Sequence, residues 1–137
     1  LIFIDSNVPM YLVGGEHPHK LDVQRILARL AGERRQLVTS SEVFQEVLHR
    51  YVSAGRRDWV GVAFDALEEI ADDVFALEKD DVLAAKDLVL AHQRLSARDA
   101  VHAAVMQRRQ ITEVLSFDHG FDAVTGITRI PAPQPSG

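Results

Sequence analysis

The chain opens on an unbroken apolar run, Leu1-Ile2-Phe3-Ile4, that stops at Asp5. A short run of this kind, bounded by polar residues, predicts a buried strand. Ser6 and Asn7 follow as cap candidates, with Pro9 in the first turn of a short helix. From His19 to Glu33, Leu21, Ile26, Leu27 and Leu30 recur at helical spacing. Leu37-Val38 predicts a brief second strand. Ser40 to Ser53 predicts a helix with Val43, Phe44, Val47, Leu48 and Tyr51 on one face. Asp58 to Ile70 predicts another helix and Val74 to Leu77 a third strand. Helices are expected over Lys79 to Arg94 and Ala97 to Arg109, and a fourth strand over Val114 to Phe117. Ile127 to Ile130 is a candidate fifth.

Strands alternating with helices predict an α/β fold with a parallel sheet covered on both faces. Ligands in such sheets bind outside the carboxyl ends of the strands. That rule points to Asp5 and Asp118, each placed after an apolar strand. No internal repeat or low-complexity block interrupts the pattern. One folded domain is expected over 1–130, followed by a Pro-rich tail, 131–137, expected to be extended or disordered.

Composition changes this picture in three ways. The 137 residues fit one domain and contain no cysteine, which excludes disulfides, thiolate metal sites and cysteine nucleophiles. No apolar run approaches the length of a membrane span, and the leading run is too short for a signal-peptide core. A cytoplasmic protein with no membrane partner is expected. The formal charge of −5 counts against binding nucleic acid. Yet eight of the twenty acidic residues crowd between Asp65 and Asp81, and twelve of the fifteen basic ones are Arg. Arg is the better bidentate phosphate ligand. The pairs Arg34-Arg35, Arg56-Arg57 and Arg108-Arg109 read first as helix-end residues that complement the dipole.

The carboxylates carry the chemistry. Asp5 can be a helix cap, although a cap does not need three polar residues in a row. Asp99 starts a helix that is apolar almost all round, so it needs a cation, a donor or a metal. Its rival role is a capping box, Ser96-Ala97-Arg98-Asp99. Glu42 is assigned to a capping box of its own. Glu46 lies off the apolar face of its helix, and pattern alone makes it a solvated partner of Arg50. Asp118 occupies a strand end like that of Asp5, with Asp122 one turn on. His49 and His102 read as packing or supporting residues. There is no G-x-S-x-G, Walker A or G-x-G-x-x-G motif. Carboxylates that converge on one point stay ionised only around a cation, and all-oxygen ligands suit Mg²⁺ or Mn²⁺.

Ile2-Phe3-Ile4-Asp5-Ser6-Asn7-Val8 resembles the opening strand motif of PIN domains. Leu95-Ser96-Ala97-Arg98-Asp99-Ala100 resembles that family's Leu-Ser-x-x-Asp-Ala helix start. Leu115-Ser116-Phe117-Asp118-His119-Gly120-Phe121 resembles its late strand end, with Ser116 where Thr is usual. Order, spacing and length are similar to VapC-type toxins of bacterial toxin–antitoxin modules. The resemblance implies a three-layer α/β/α fold with a five-stranded parallel sheet. It implies an endoribonuclease using Mg²⁺ or Mn²⁺, a homodimer and a cognate antitoxin protein, with transfer RNA or another structured RNA as substrate. It makes Asp5, Glu46, Asp99 and Asp118 the catalytic and metal-binding quartet, Glu46 by this step alone. Ser6, Asn7, Ser116 and Asp122 become auxiliary residues. The expected reaction is phosphodiester hydrolysis, with Asp5 and Asp99 as direct ligands and Asp118 direct or through water. Glu46 holds a second ion or orients the attacking water.

Two other readings compete. A haloacid-dehalogenase-like phosphatase also begins with a strand-end Asp, and Asp118-x-x-x-Asp122 imitates its late motif. Asn7, however, stands where its second Asp is expected. The other is a non-catalytic module that binds RNA or protein.

Overall fold

Five short parallel strands lie in the order β3-β2-β1-β4-β5. They are β1 (Ile2–Ile4), β2 (Leu37–Ser40), β3 (Asp73–Phe75), β4 (Glu113–Leu115) and β5 (Thr128–Ile130). The computed structural model describes residues 1–15 and 17–131, so most of the expected Pro-rich tail lies outside the described residues. The α-helices are α1 (Asn7–Val13), α2 (Pro18–Gly32), α3 (Ser41–Ser53), α4 (Val60–Ile70), α5 (Lys79–Ala91) and α6 (Ala97–Arg108). Short 3₁₀ turns span Arg57–Trp59 and His119–Ala123.

Chain direction decides the layering. From β1 to β3 the strands are added on one side, and from β3 the chain returns past β1 to β4. Right-handed crossovers then put α1 to α4 on one face and α5 and α6 on the other. The packing agrees: α1 meets α2 and α4, whereas α5 packs along α6. The result is the expected three-layer α/β/α fold with a five-stranded parallel sheet.

The central strand β1 is covered on both faces and reads as an apolar run rather than an alternation, whereas the edge strand β3 is largely exposed. Ile2, Phe3, Ile4, Val114 and Leu115 are fully buried. Helix α6 is covered nearly all round, as its sequence predicts, with Ala100 and His102 to Met106 buried. In α3 the buried stripe is Val43, Glu46, Val47 and Tyr51, while Leu48 is exposed. That helix is therefore rotated from the expected face, which turns Glu46 inward.

Several local expectations are corrected. Ser40 caps α3 without a side-chain hydrogen bond, so the Glu42 capping box does not form. A capping box does form at α5, where Glu78 and Asp81 exchange side-chain and backbone bonds. Asp81 is part of the acid-rich stretch yet is wholly buried. Its carboxylate accepts from Arg108 at 2.6 Å and Arg109 at 2.9 Å. This Arg pair is engaged by a buried carboxylate rather than held ready for phosphate.

Register positions the site. Ile4 pairs with Leu115 across β1 and β4, so the next residues, Asp5 and Ser116, leave the sheet side by side. The chain after β1 turns toward β2, and the chain after β4 turns toward β5. The crevice between these diverging connections is the switch point of the sheet.

Candidate active site

Asp5 is 3 % exposed at that switch point. Its Oδ2 accepts from Ser116 Oγ at 2.6 Å, and its Oδ1 from the Ser6 backbone N–H at 2.8 Å. Asn7 Nδ2 reaches Asp5 at 3.4 Å and Ser116 Oγ at 3.2 Å, while its Oδ1 accepts from Phe117 N at 3.3 Å. Ser6 stands at the cap position of α1 but makes no side-chain cap bond; its hydroxyl donates to Glu46. The three polar residues after β1 are thus used on the cleft, where a cap alone would need one. Ser116 Oγ also accepts from Asp118 N at 3.0 Å, so one hydroxyl joins both strand ends.

Helix α6 brings Asp99 and His102. Ser96 caps the helix by accepting from Asp99 N at 3.1 Å, which leaves the Asp99 carboxylate to face the cleft. Oxygens of Asp5, Asp99 and Asp118 lie within 4.8 Å of one another. Burial, followed by the charges of Asp118 and Asp5, pushes the Asp99 carboxyl up to about 7. Burial likewise raises Asp5, outweighing His102 and Ser116.

Glu46 joins a second group that shares Asp5. His102 is completely buried, with Nε2 3.5 Å from Glu46 Oε2 and 3.7 Å from Asp5 Oδ1. Burial opposes charge on this ring, yet Glu46 and Asp5 hold its pKa above the usual histidine value. Burial also opposes ionisation of Glu46, but His102 and Ser6 hold its carboxyl down at about 2. The exposed Arg98 approaches Glu46 at 3.9 Å. The expected quartet is therefore two triads hinged on Asp5. Asp5, Glu46 and His102 contain a basic side chain. Asp5, Asp99 and Asp118 contain none, and that imbalance is what a divalent ion relieves.

The residues fit such an ion. The donor set is all oxygen, which suits a hard cation. Gly120 completes the cradle. A Cβ there would overlap Asp99 Oδ2 and stand 3.2 Å from Asp118 Oδ1, so only glycine leaves both carboxylates in place. Gly120 N also donates to Asp118 Oδ1 at 2.9 Å. Sequence reading missed this glycine, although Asp118-His119-Gly120 was the available signal.

Asp122, an expected auxiliary residue, is held elsewhere. Arg129 is 4 % exposed and donates to it at 2.9 and 3.2 Å. The resemblance of Asp118-x-x-x-Asp122 to a phosphatase motif thus has no counterpart in the cleft. His49 is exposed on α3, so the Glu46–His49 pair builds no site.

Fold and site together define an α/β protein with an acidic, cation-demanding cleft at the switch point of its sheet. A family model described as PIN domain matches residues 2–127. A VapC ribonuclease of Mycobacterium bovis, Mb1869c, is 51% identical over 130 residues, covering 95% of this chain and 99% of that one. The chain belongs to the PIN domain family. The crystal structure of VapC20 from Mycobacterium tuberculosis superimposes with a TM-score of 0.72 at 21% identity, covering 90% of this chain and 94% of the other. A toxin–antitoxin complex from Klebsiella pneumoniae gives 0.61 at 17%, over 93% and 96% of the two chains.

Proposed function

We propose that this protein is a metal-dependent endoribonuclease, the toxin of a bacterial toxin–antitoxin pair. One observation carries the chemistry: three carboxylates, from the ends of β1 and β4 and from α6, converge within 4.8 Å. The 51%-identical relative named as a ribonuclease supports RNA as the substrate. Transfer RNA or another structured RNA is the substrate class.

Asp5, Asp99 and Asp118 would hold Mg²⁺ or Mn²⁺. A bound divalent ion there supplies Lewis acidity toward a phosphoryl oxygen and lowers the pKa of a water molecule. The chain's own residues do the positioning. Ser116 and Ser6 fix both oxygens of Asp5, and Gly120 keeps Asp99 and Asp118 at close approach. Glu46, ionised beside His102, orients the attacking water or contributes to a second ion. Arg98 at the rim faces the incoming phosphate. Ser6, Asn7 and Ser116 act through Asp5, whereas Asp122 acts on the fold through Arg129.

The partners follow from the same reading. An antitoxin chain would cover the acid cleft. A homodimer is supported by an apolar groove of about 260 Å³ lined by Val82, Val89, Leu90 and Val101, with Leu90 76% exposed. Among the described residues no helix is long and apolar enough to cross a membrane, and a cytoplasmic address is proposed.

The test is cleavage of total bacterial RNA by the purified chain with Mg²⁺ or Mn²⁺, with EDTA, and with Asp5→Asn. Cleavage that needs the ion and Asp5 is expected. Hydrolysis of small phosphate esters instead would favour the phosphatase. RNA binding without turnover under any divalent ion would favour the non-catalytic module.

A further inference from the structure

Beside the acid cleft, four rings gather on one patch. Tyr11 and His17 stack at 4.4 Å and 21°. His19 and Phe117 stack at 4.4 Å and 27°. Tyr11 meets the edge of Phe117 at 5.5 Å and tilts against His19 at 5.3 Å. His17 is exposed, and the other three are half-buried. Next to this patch opens a cavity of about 330 Å³, lined by His19, Arg25, Ile26, Phe117 and His119 over a floor of Arg129.

We propose that this cavity is a nucleobase-binding subsite, in which an unpaired base of the RNA adds to the stacked His19–Phe117 pair while its neighbouring phosphate enters the acid cleft. The inference rests on the ribonuclease reading and adds where the strand is gripped.

Three observations support it. The first is position. Phe117 directly precedes Asp118, about 3.8 Å away along the backbone. Its N–H is held by Asn7, which also binds Asp5 and Ser116, so the backbone of Phe117 is tied to the carboxylate cleft. The second is charge. The chain carries −5, and Arg108, Arg109 and Arg129 are engaged by Asp81 and Asp122. Phosphate contacts alone are a poor source of affinity for such a surface. Stacking is independent of net charge and tolerates any base, because every base presents a π-face. The third is complementarity at the rim. Asp22 and Arg25 offer an acceptor and a donor set to the polar edge of a base, beside ring faces that cover its plane. A folded partner segment could also meet these rings, and the test separates that case.

The test uses the full chain with Ca²⁺ and single-stranded decauridylates that carry one 2-aminopurine, scanned through each position. A base stacked on aromatic rings loses 2-aminopurine fluorescence. Quenching on binding is expected wherever the decamer can bring the 2-aminopurine into the cavity. His19→Ala should abolish it and weaken binding by about fivefold or more. Phe117→Leu, which keeps apolar packing but removes the π-face, should do the same. His19→Trp should restore both. In cleavage assays KM should rise while kcat changes little. Fluorescence left unquenched at every position, failure of the decamers to bind, or ring variants that weaken only antitoxin binding would each overturn the subsite. Mg²⁺-dependent cleavage of total RNA, measured on the same preparation, shows separately whether the ribonuclease reading stands.

Discussion

The hydroxyl of Ser116 donates to Asp5 Oδ2 at 2.6 Å, across 111 residues of chain. Parallel pairing of β1 with β4 makes this contact possible, because it brings the two strand ends together at the switch point. The bond points Asp5 into the cleft and ties it to the backbone of Asp118, so the protein's own hydrogen bonds orient this carboxylate.

Replacing Asp5 by Asn should abolish cleavage while sparing the fold. The amide keeps the shape, and its one oxygen can still accept from Ser6 N while its NH2 donates to Ser116 Oγ, but it removes the charge shared by both triads. Circular dichroism and thermal melting should match the parent, and Mn²⁺ binding by calorimetry should weaken sharply. An Asp5→Asn protein that cut RNA at the parent rate would remove the proposed mechanism.

Gly120→Ala should damage the site more than the fold. The added methyl overlaps Asp99 Oδ2 and crowds Asp118. Its backbone bond to Asp118 is compatible with alanine, so little global stability should be lost. Affinity for the divalent ion should drop about 10–100-fold, the usual cost of disturbing groups that orient metal ligands. Calorimetry with Mn²⁺ checks this, and an unchanged affinity would mean Asp99 is free to move aside.

Stability without metal should depend on pH in a definite direction. Burial and neighbouring carboxylates raise Asp99 from 3.8 to about 7 in the folded chain. Folded protein therefore keeps a proton that unfolded protein releases, between pH 4 and 7. The stabilisation is present below the unfolded value and is lost as pH rises through about 7. Melting in EDTA should give a lower Tm at pH 8 than at pH 5. Divalent ions compete with that proton, so their addition should raise Tm at pH 8 far more than at pH 5. Asp99→Asn should flatten both effects.

His102 should be costly to remove. It is buried between two carboxylates, and its loss leaves Glu46 and Asp5 without the basic ring that separates them. Breaking a buried pair from one side typically costs about 3–5 kcal/mol. Denaturant melts of His102→Ala should show a loss of that order in metal-free buffer. A loss under about 1 kcal/mol would mean water already screens the pair.

Asp81 offers a control remote in role from the cleft. Asp81→Ala leaves Arg108 and Arg109 facing each other without the shared carboxylate. Because both Arg side chains reach solvent in part, the cost should sit at the low end, about 3 kcal/mol. RNA cleavage by the fraction that stays folded should be unchanged.

The sequence by itself determined the alternation of strands and helices, the burial of α6 and the two strand-end acids, because local periodicity and strand ends are written in neighbouring residues. It also left Asp99 needing a partner, since a carboxylate on an apolar helix cannot stay charged alone. Glu46 was different: read along α3 it looked solvated, and Leu48 looked buried. Only the rotation of that helix against α4 and β2 exchanged them, and rotation is set by side chains far away in the chain. The pairing of Glu46 with His102, the fit of Gly120 against Asp99, and the withdrawal of Asp122 to Arg129 were likewise decided by tertiary packing. Each depends on which groups meet across the sheet, and distances of this kind are absent from any local pattern.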